Sequence, residues 1–136
     1  MPNAYLIASE YRGGPSPGDD PAISINENTS LLQAVGALVT KLNRMHLNPG
    51  SVDKLCIVAD NKKGHIHIGN GLTVSNAKVL APLAPFLVPG RDRVGAELSG
   101  FKINNDVANR DLMKAIAATL QVSVAADGES AHPKKS

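Results

Sequence analysis

Four apolar runs separated by amphipathic stretches set the pattern of the chain. Tyr5-Leu6-Ile7-Ala8 and Leu55-Cys56-Ile57-Val58-Ala59 are continuous apolar runs of strand length. Such runs suit parallel strands covered on both faces. Residues 94–98 and Val122-Ser123-Val124-Ala125-Ala126 predict two further strands.

Helical periods lie between these strands. Leu31, Val35, Leu38, Leu42 and Met45 recur at spacings of four and three, the apolar stripe of an amphipathic helix. Asn28, Thr29 and Ser30 offer its N-cap, and Asn48-Pro49-Gly50 stops it. A second helix, capped by Ser75, carries Val79, Leu80, Leu83, Phe86 and Leu87. Pro82 and Pro85 inside it remove backbone donors and predict a kink or two short pieces. A third, capped by Asn109, buries Leu112, Met113, Ile116, Ala117 and Leu120. Before the second helix, the polar turn 60–64 leads into His65-Ile66-His67-Ile68. Its strict alternation predicts a short strand with one wetter face, closed by Gly69-Asn70-Gly71.

Strands alternating with helices predict an α/β domain with a mostly parallel sheet sandwiched by helices. The strands at Leu6, Ile57, Leu98 and Val124 are expected to pair in parallel, since a helix separates each successive pair. Residues 12–21 hold three prolines and three glycines and read as a long loop, functional or mobile. Residues 128–136 are polar without an apolar period and read as a flexible tail, leaving residues 1–127 as a single domain.

Composition narrows the function. Aromatic residues make up only 3% of the chain, so the core must be built from Leu, Val, Ile and Ala. The net charge of +2 is near balance, and few aromatic side chains exist to stack on bases, which argues against a nucleic-acid partner. No apolar stretch has the length of a membrane span, so no membrane partner is expected. The run at residues 4–8 is too short for a signal-peptide core and lacks a basic lead-in, which points to the cytoplasm. A lone cysteine, Cys56, permits no intramolecular disulfide and fits a reducing compartment. The glycine-rich segments match neither a P-loop nor a dinucleotide fingerprint, so no cofactor is called for.

From Leu55 to Ala126 the chain resembles the caspase-like cysteine peptidases: clostripain, the gingipains, CHAT domains and a related bacterial domain of unknown function. In that family a strand ends in the catalytic His, and a short segment of the form Gly, apolar, any, apolar, Gly follows. Here residues 55–61 are followed by Gly64-His65-Ile66-His67-Ile68-Gly69. The family's next main strand ends in the nucleophilic Cys; here residues 94–98 run into Ser99-Gly100-Phe101. The resemblance implies a caspase-like fold, but Asp60 stands where the family has its His and Phe101 where it has its Cys. It therefore implies a degenerate member without the dyad, a pseudo-peptidase with no catalytic residue to name.

The remaining polar candidates gather beyond the carboxyl ends of the strands, where open parallel sheets bind ligands. Ser9 and Glu10 follow the first strand. Asp60, Asn61 and Lys62 follow the second, and Phe101, Lys102, Asn104, Asn105 and Asp106 the third. Asp127 follows the last, and Arg12 and Lys63 sit close by in sequence. The expected binding rim is Ser9, Glu10, Asp60, Asn61, Lys62, Phe101, Lys102, Asn105 and Asp106. Its Asn and Asp residues also suit plain turns and a helix cap. His65 and His67 share one strand face and could pair on a metal, but a site needs further ligands, so they read as a solvated hairpin face and no metal is assigned. Cys56, flanked by Leu55 and Ile57, reads as a core residue. The leading expectation is a non-catalytic module that binds a protein partner or copies of itself. The alternative is a hydrolase of another class using Asp60 and Asp106 as acid and base or as ligands of a hard cation.

Overall fold

The computed structural model describes residues 1–133, the side chains of Arg91 and Asp92 excepted. Among the described residues, nine strands and three helical segments follow in chain order. They are β1 (Ala4–Ala8), β2 (Ala22–Ile25), α1 (Leu31–Arg44), β3 (Leu55–Val58), β4 (Asn61–Lys62), β5 (His65–Ile66) and β6 (Leu72–Thr73). A 3-10 helix (Val74–Phe86), β7 (Gly90–Ser99), α2 (Val107–Leu120), β8 (Val122–Ala126) and β9 (Glu129–Ala131) complete the chain.

The main sheet has the order β2-β1-β3-β7-β8-β9. Every pairing is parallel except β8 with β9. Leu6 lies opposite Ile57, Ile57 opposite Leu98, and Ala96 opposite Val124. This is the α/β class, with a mostly parallel sheet flanked by helices, that the strand and helix patterns predict. A separate small antiparallel sheet, β4-β5-β6, interrupts the β3–β7 connection.

The two faces of the main sheet are covered differently. Alternate residues Leu6, Leu55, Ile57, Ala96, Leu98, Val122 and Val124 pack with Leu31, Leu38, Leu80, Leu83, Leu112 and Ile116 in one large core. The 3-10 helix touches both α1 and α2, so the three helical segments form one continuous layer. The other face carries a smaller cluster of Tyr5, Cys56 and Val58, with Ile7, Tyr11 and Ala22 against it. Its cover is the 9–21 connection rather than a helix. Gly14 presses so close that a Cβ there would fall 2.2 Å from Val58 Cγ1. Where β7 and β8 show this second face, their side chains are small or polar. Glu97, Ser99 and Ala125 are half-buried, and the Ser123 hydroxyl lies 2.6 Å from His132 Nδ1.

Several elements differ from the sequence expectation in ways the packing explains. The strand β2, Ala22-Ile23-Ser24-Ile25, is not among the expected strands: it is only four residues long, with Ile25 buried in the core and Ser24 exposed on the sheet edge. In the expected polar tail, Glu129–Ala131 pairs with β8 and Pro133 is buried; residues 134–136 lie outside the described residues. Backbone pairing needs no apolar side chains, so a hydropathy pattern misses an edge strand of this kind. Pro82 and Pro85 do not break the second helix. It winds with three residues per turn, which aligns Ala77, Leu80, Leu83 and Phe86 in one row facing the core and leaves both prolines exposed. Its N-terminus is fixed by Thr73 and Asn76, not Ser75: Asn76 Oδ1 accepts the Thr73 N–H at 2.8 Å. Met45 falls off the α1 stripe because the helix ends before it.

The third helix starts three residues earlier than expected. Asp106 is its N-cap, accepting from Ala108 N at 2.8 Å. Asn109 then sits in the first turn, 2% exposed, and does different work. Its Oδ1 accepts from Gly64 N at 2.7 Å and from Asn61 Nδ2 at 3.2 Å. Its Nδ2 donates to Ile103 O at 2.9 Å and Lys102 O at 3.2 Å. One amide thus joins the β4–β5 turn, the loop after β7 and α2. Replacing Asn109 by Ala would strand buried polar groups on both sides, an expected loss of about 2–3 kcal/mol in urea unfolding. Asn109→Asp is expected to cost at least as much, because a carboxylate would face two carbonyl oxygens where the amide donates.

Candidate functional site

A cleft opens beyond the carboxyl ends of β1 and β3. It has a volume of about 650 Å³ and is lined by Glu10, Tyr11, Arg12, Glu27, Asp60, His65, His67, Gly69, Asn70 and Gly71. Its position follows from topology. From β1 the chain moves to β2 on one side, while from β3 it moves to β7 on the other. Connections leaving in opposite directions part over this point and leave a crevice.

Each wall is held by identifiable bonds. On one side Glu10 Oε1 accepts from Glu27 N at 3.0 Å, joining the segment after β1 to the turn after β2. Tyr11 lies over Gly100, where a Cβ would come within 2.6 Å of its ring, so only glycine leaves room for the ring. On the floor, Asn70 Oδ1 accepts from Leu31 N at 3.0 Å and ties the Gly69–Gly71 turn to the first turn of α1. On the far side, the alternation in residues 65–68 turns Ile66 and Ile68 into the core and leaves His65 and His67 in the cleft. His67 N–H donates to Asp60 O at 2.9 Å, and His67 Nδ1 lies 3.2 Å from Asp60 Oδ1. The two imidazole rings meet edge to face with centroids 5.0 Å apart.

The expected rim is only partly assembled. Glu10 and Asp60 line the cleft, together with Arg12. Ser9 is exposed, and its N–H donates to Ile25 O. Asn61 is a structural clamp: its amide donates to Lys102 O at 2.9 Å and accepts from Lys102 N at 2.7 Å. Lys62 and Lys102 are exposed and outside the cleft, and Lys63 borders a separate shallow groove against α2. Phe101 is 3% exposed and belongs to the core, not to a rim. Asn105 stands beside Arg110, and Asp127 Oδ2 accepts from Ile103 N at 3.0 Å. Asp106 caps α2 and does not line the cleft, so it does not share the site with Asp60. The binding rim that sequence order suggested at the loop after β7 is thus taken up with holding that loop.

Tyr11, Glu27, Asn70 and the two histidines were missing from the expected rim. Tyr11 and Asn70 occupy loops with no local signal. Glu27 arrives through β2, which the apolar pattern does not reveal. The histidines carried a signal in their alternation, since a strand with Ile66 and Ile68 inward must place His65 and His67 outward. Among the described residues no three His, Cys, Asp or Glu side chains converge closely enough to hold a metal ion. No helix among them is long and apolar enough to cross a membrane.

Cys56 lies in β3 on the second face of the sheet, 4% exposed beneath the 9–21 connection. Burial, followed by the charge of Glu97, pushes its thiol up to about 11. Glu97 is itself held by Lys54 Nζ at 2.7 Å, a bond that raises the lysine's own pKa. A thiol raised in this way is neutral in the fold, so its contribution is present below the unfolded value of 9.0 and is lost as pH rises toward about 11. Wild type is therefore expected to lose stability relative to Cys56→Ala across that interval in pH-dependent thermal unfolding. At neutral pH the native thiol is expected to resist a disulfide reagent until the protein unfolds. Rapid native labelling would contradict the assigned burial. Compared with protein-family models, with curated proteins and with solved structures, the chain matches none.

Proposed function

We propose that this chain is a caspase-like domain without catalysis, which binds a segment of a protein partner in the cleft between the ends of β1 and β3. The observation that carries this reading is the place of the cleft at the topological switch point, walled by polar side chains from four separate loops. That is where a parallel sheet offers a preformed binding crevice. Two further facts support binding over catalysis. The position where the resemblance expects a nucleophile holds Phe101, which is in the core. The one thiol lies under a different face of the sheet, away from the cleft lining. The carboxylate pair of the hydrolase alternative lacks a shared site, because Asp106 is committed to the α2 cap.

The cleft combines Glu10, Glu27 and Asp60 with Arg12 and two imidazoles. Such mixed polarity suits an extended polar segment better than an apolar anchor. The test selects peptides from a displayed library against the full chain. Arg12→Glu and Glu27→Lys are each expected to weaken the selected peptides about tenfold or more, roughly 1.4 kcal/mol. Light scattering on the free chain separates a distinct partner, which leaves it monomeric, from a second copy. Incubation with a mixed peptide library under reducing conditions is expected to yield no cleavage by wild type or Cys56→Ala. Peptides insensitive to both cleft substitutions, or cleavage that disappears with Cys56, would overturn the reading.

A further inference from the structure

His65 and His67 stand side by side in the cleft on one face of their strand. Their ring centroids are 5.0 Å apart. A metal-bound imidazole nitrogen lies about 2.0–2.1 Å from the ion, which puts the ring centre roughly 3.2 Å away. Two such rings at a near-tetrahedral angle have centres about 5 Å apart, so the observed spacing fits one shared ion.

Both rings are also positioned. Asp60 is joined to His67 twice, through the backbone bond and through the Nδ1 contact. A carboxylate on one imidazole nitrogen is the usual outer partner of a metal-binding histidine. It fixes the ring and leaves the other nitrogen, Nε2, with its lone pair free. The ring of His65 is set by Gly71, which lies against it. A Cβ at Gly71 would fall 2.6 Å from Cε1 and 2.8 Å from Nε2, but 3.5 Å from Nδ1. The Cε1–Nε2 edge of that ring is therefore the one that rests on Gly71. Gly71 also has φ +101, which disfavours any side chain there.

We propose that His65 and His67 form a two-imidazole site for a borderline transition-metal ion, with Asp60 as the positioning residue. Both histidines line the cleft, so water or a donor group of an incoming ligand would supply the further ligands that two imidazoles leave wanting. With two nitrogen ligands and no thiolate, the site favours Cu²⁺ over Ni²⁺ and Zn²⁺. This inference uses the same cleft but does not depend on peptide binding.

The test titrates Cu²⁺ alone into the full chain and follows binding by calorimetry and by electron paramagnetic resonance. One equivalent is expected to bind with hyperfine coupling from two imidazole nitrogens. His65→Ala and His67→Ala should each lower the affinity about tenfold or more and reduce the coupling to one nitrogen. Asp60→Asn, which keeps both ligands, should weaken binding by about tenfold while the two-nitrogen signature remains. Binding that survives the double His65→Ala, His67→Ala variant would assign the ion to His46, His132 or the N-terminus and overturn the proposal. Absence of a bound equivalent in wild type would overturn it as well. Peptide binding measured with and without chelator keeps the two readings separate, since either can fail alone.

Discussion

One buried amide holds the carboxyl edge of this sheet together. Asn109 satisfies all of its polar atoms within the protein, linking α2, the loop after β7 and the turn of the β4–β5 hairpin. The low dielectric around it makes each bond count, and leaves no cheap alternative for the carbonyls of Lys102 and Ile103. Asn61 repeats the idea one step outward by clamping the Lys102 backbone from both sides. Because these bonds fix where the hairpin leaves β3, they also fix where Asp60, His65 and His67 stand. The cleft is therefore a consequence of a hydrogen-bond network that lies behind it.

The sheet's asymmetry follows from chain order. Parallel neighbours require crossovers of one hand, so a connection that steps from β1 to β2 passes over one face while those that step the other way pass over the opposite one. Three connections step the second way, and each contains a helical segment in the shared core. The single connection on the other face is rich in proline and glycine and forms no helix. It can cover only the strands nearest to it, and there the sheet has Tyr5, Cys56 and Val58. Farther across, Glu97, Ser99 and Ala125 meet the demand for a face without a covering helix by being polar or small.

Sequence periodicity carries the elements that bury side chains and says little about those that do not. The apolar runs at β1, β3 and β8 and the four-three spacing of α1 translate directly into structure, because burial dictates their composition. The edge strand β9 is held by backbone bonds, and its Glu129 and Ser130 are polar and exposed, while β2 does bury Ile25 but is only four residues long and does not stand out as a run. Asn109 shows the same limit at a single residue. An Asn near a helix start suits an N-cap, and only the three-dimensional approach of Gly64, 45 positions away, reveals a different role. The site divides in the same manner. Glu10, Arg12 and Asp60 are placed by the rule that ligands bind beyond strand ends. Tyr11, Glu27 and Asn70 reach the cleft by tertiary contacts that no local pattern encodes.

What the cleft can do is set by which of its polar groups are already engaged. Glu10 is bonded to the Glu27 backbone, Asn70 to α1, and Asp60 faces His67. Groups with open hydrogen-bonding capacity at the cleft include the Arg12 guanidinium, the Glu27 carboxylate, the Tyr11 hydroxyl and the Asn70 amide nitrogen, beside the two histidines. A covalent catalyst needs a nucleophile within reach of a base, and the lining supplies bases without a thiol or an aliphatic hydroxyl beside them. A recognition site needs donors and acceptors held in place before the ligand arrives, so that little ordering remains to be done on binding. The wall bonds provide that preorganisation, and the imidazole pair adds lone pairs that can be directed at a metal ion or at a donor from the partner. With the backbone of the loop after β7 held by Asn61, Asn109 and Asp127, the cleft is left as a polar crevice between the ends of β1 and β3.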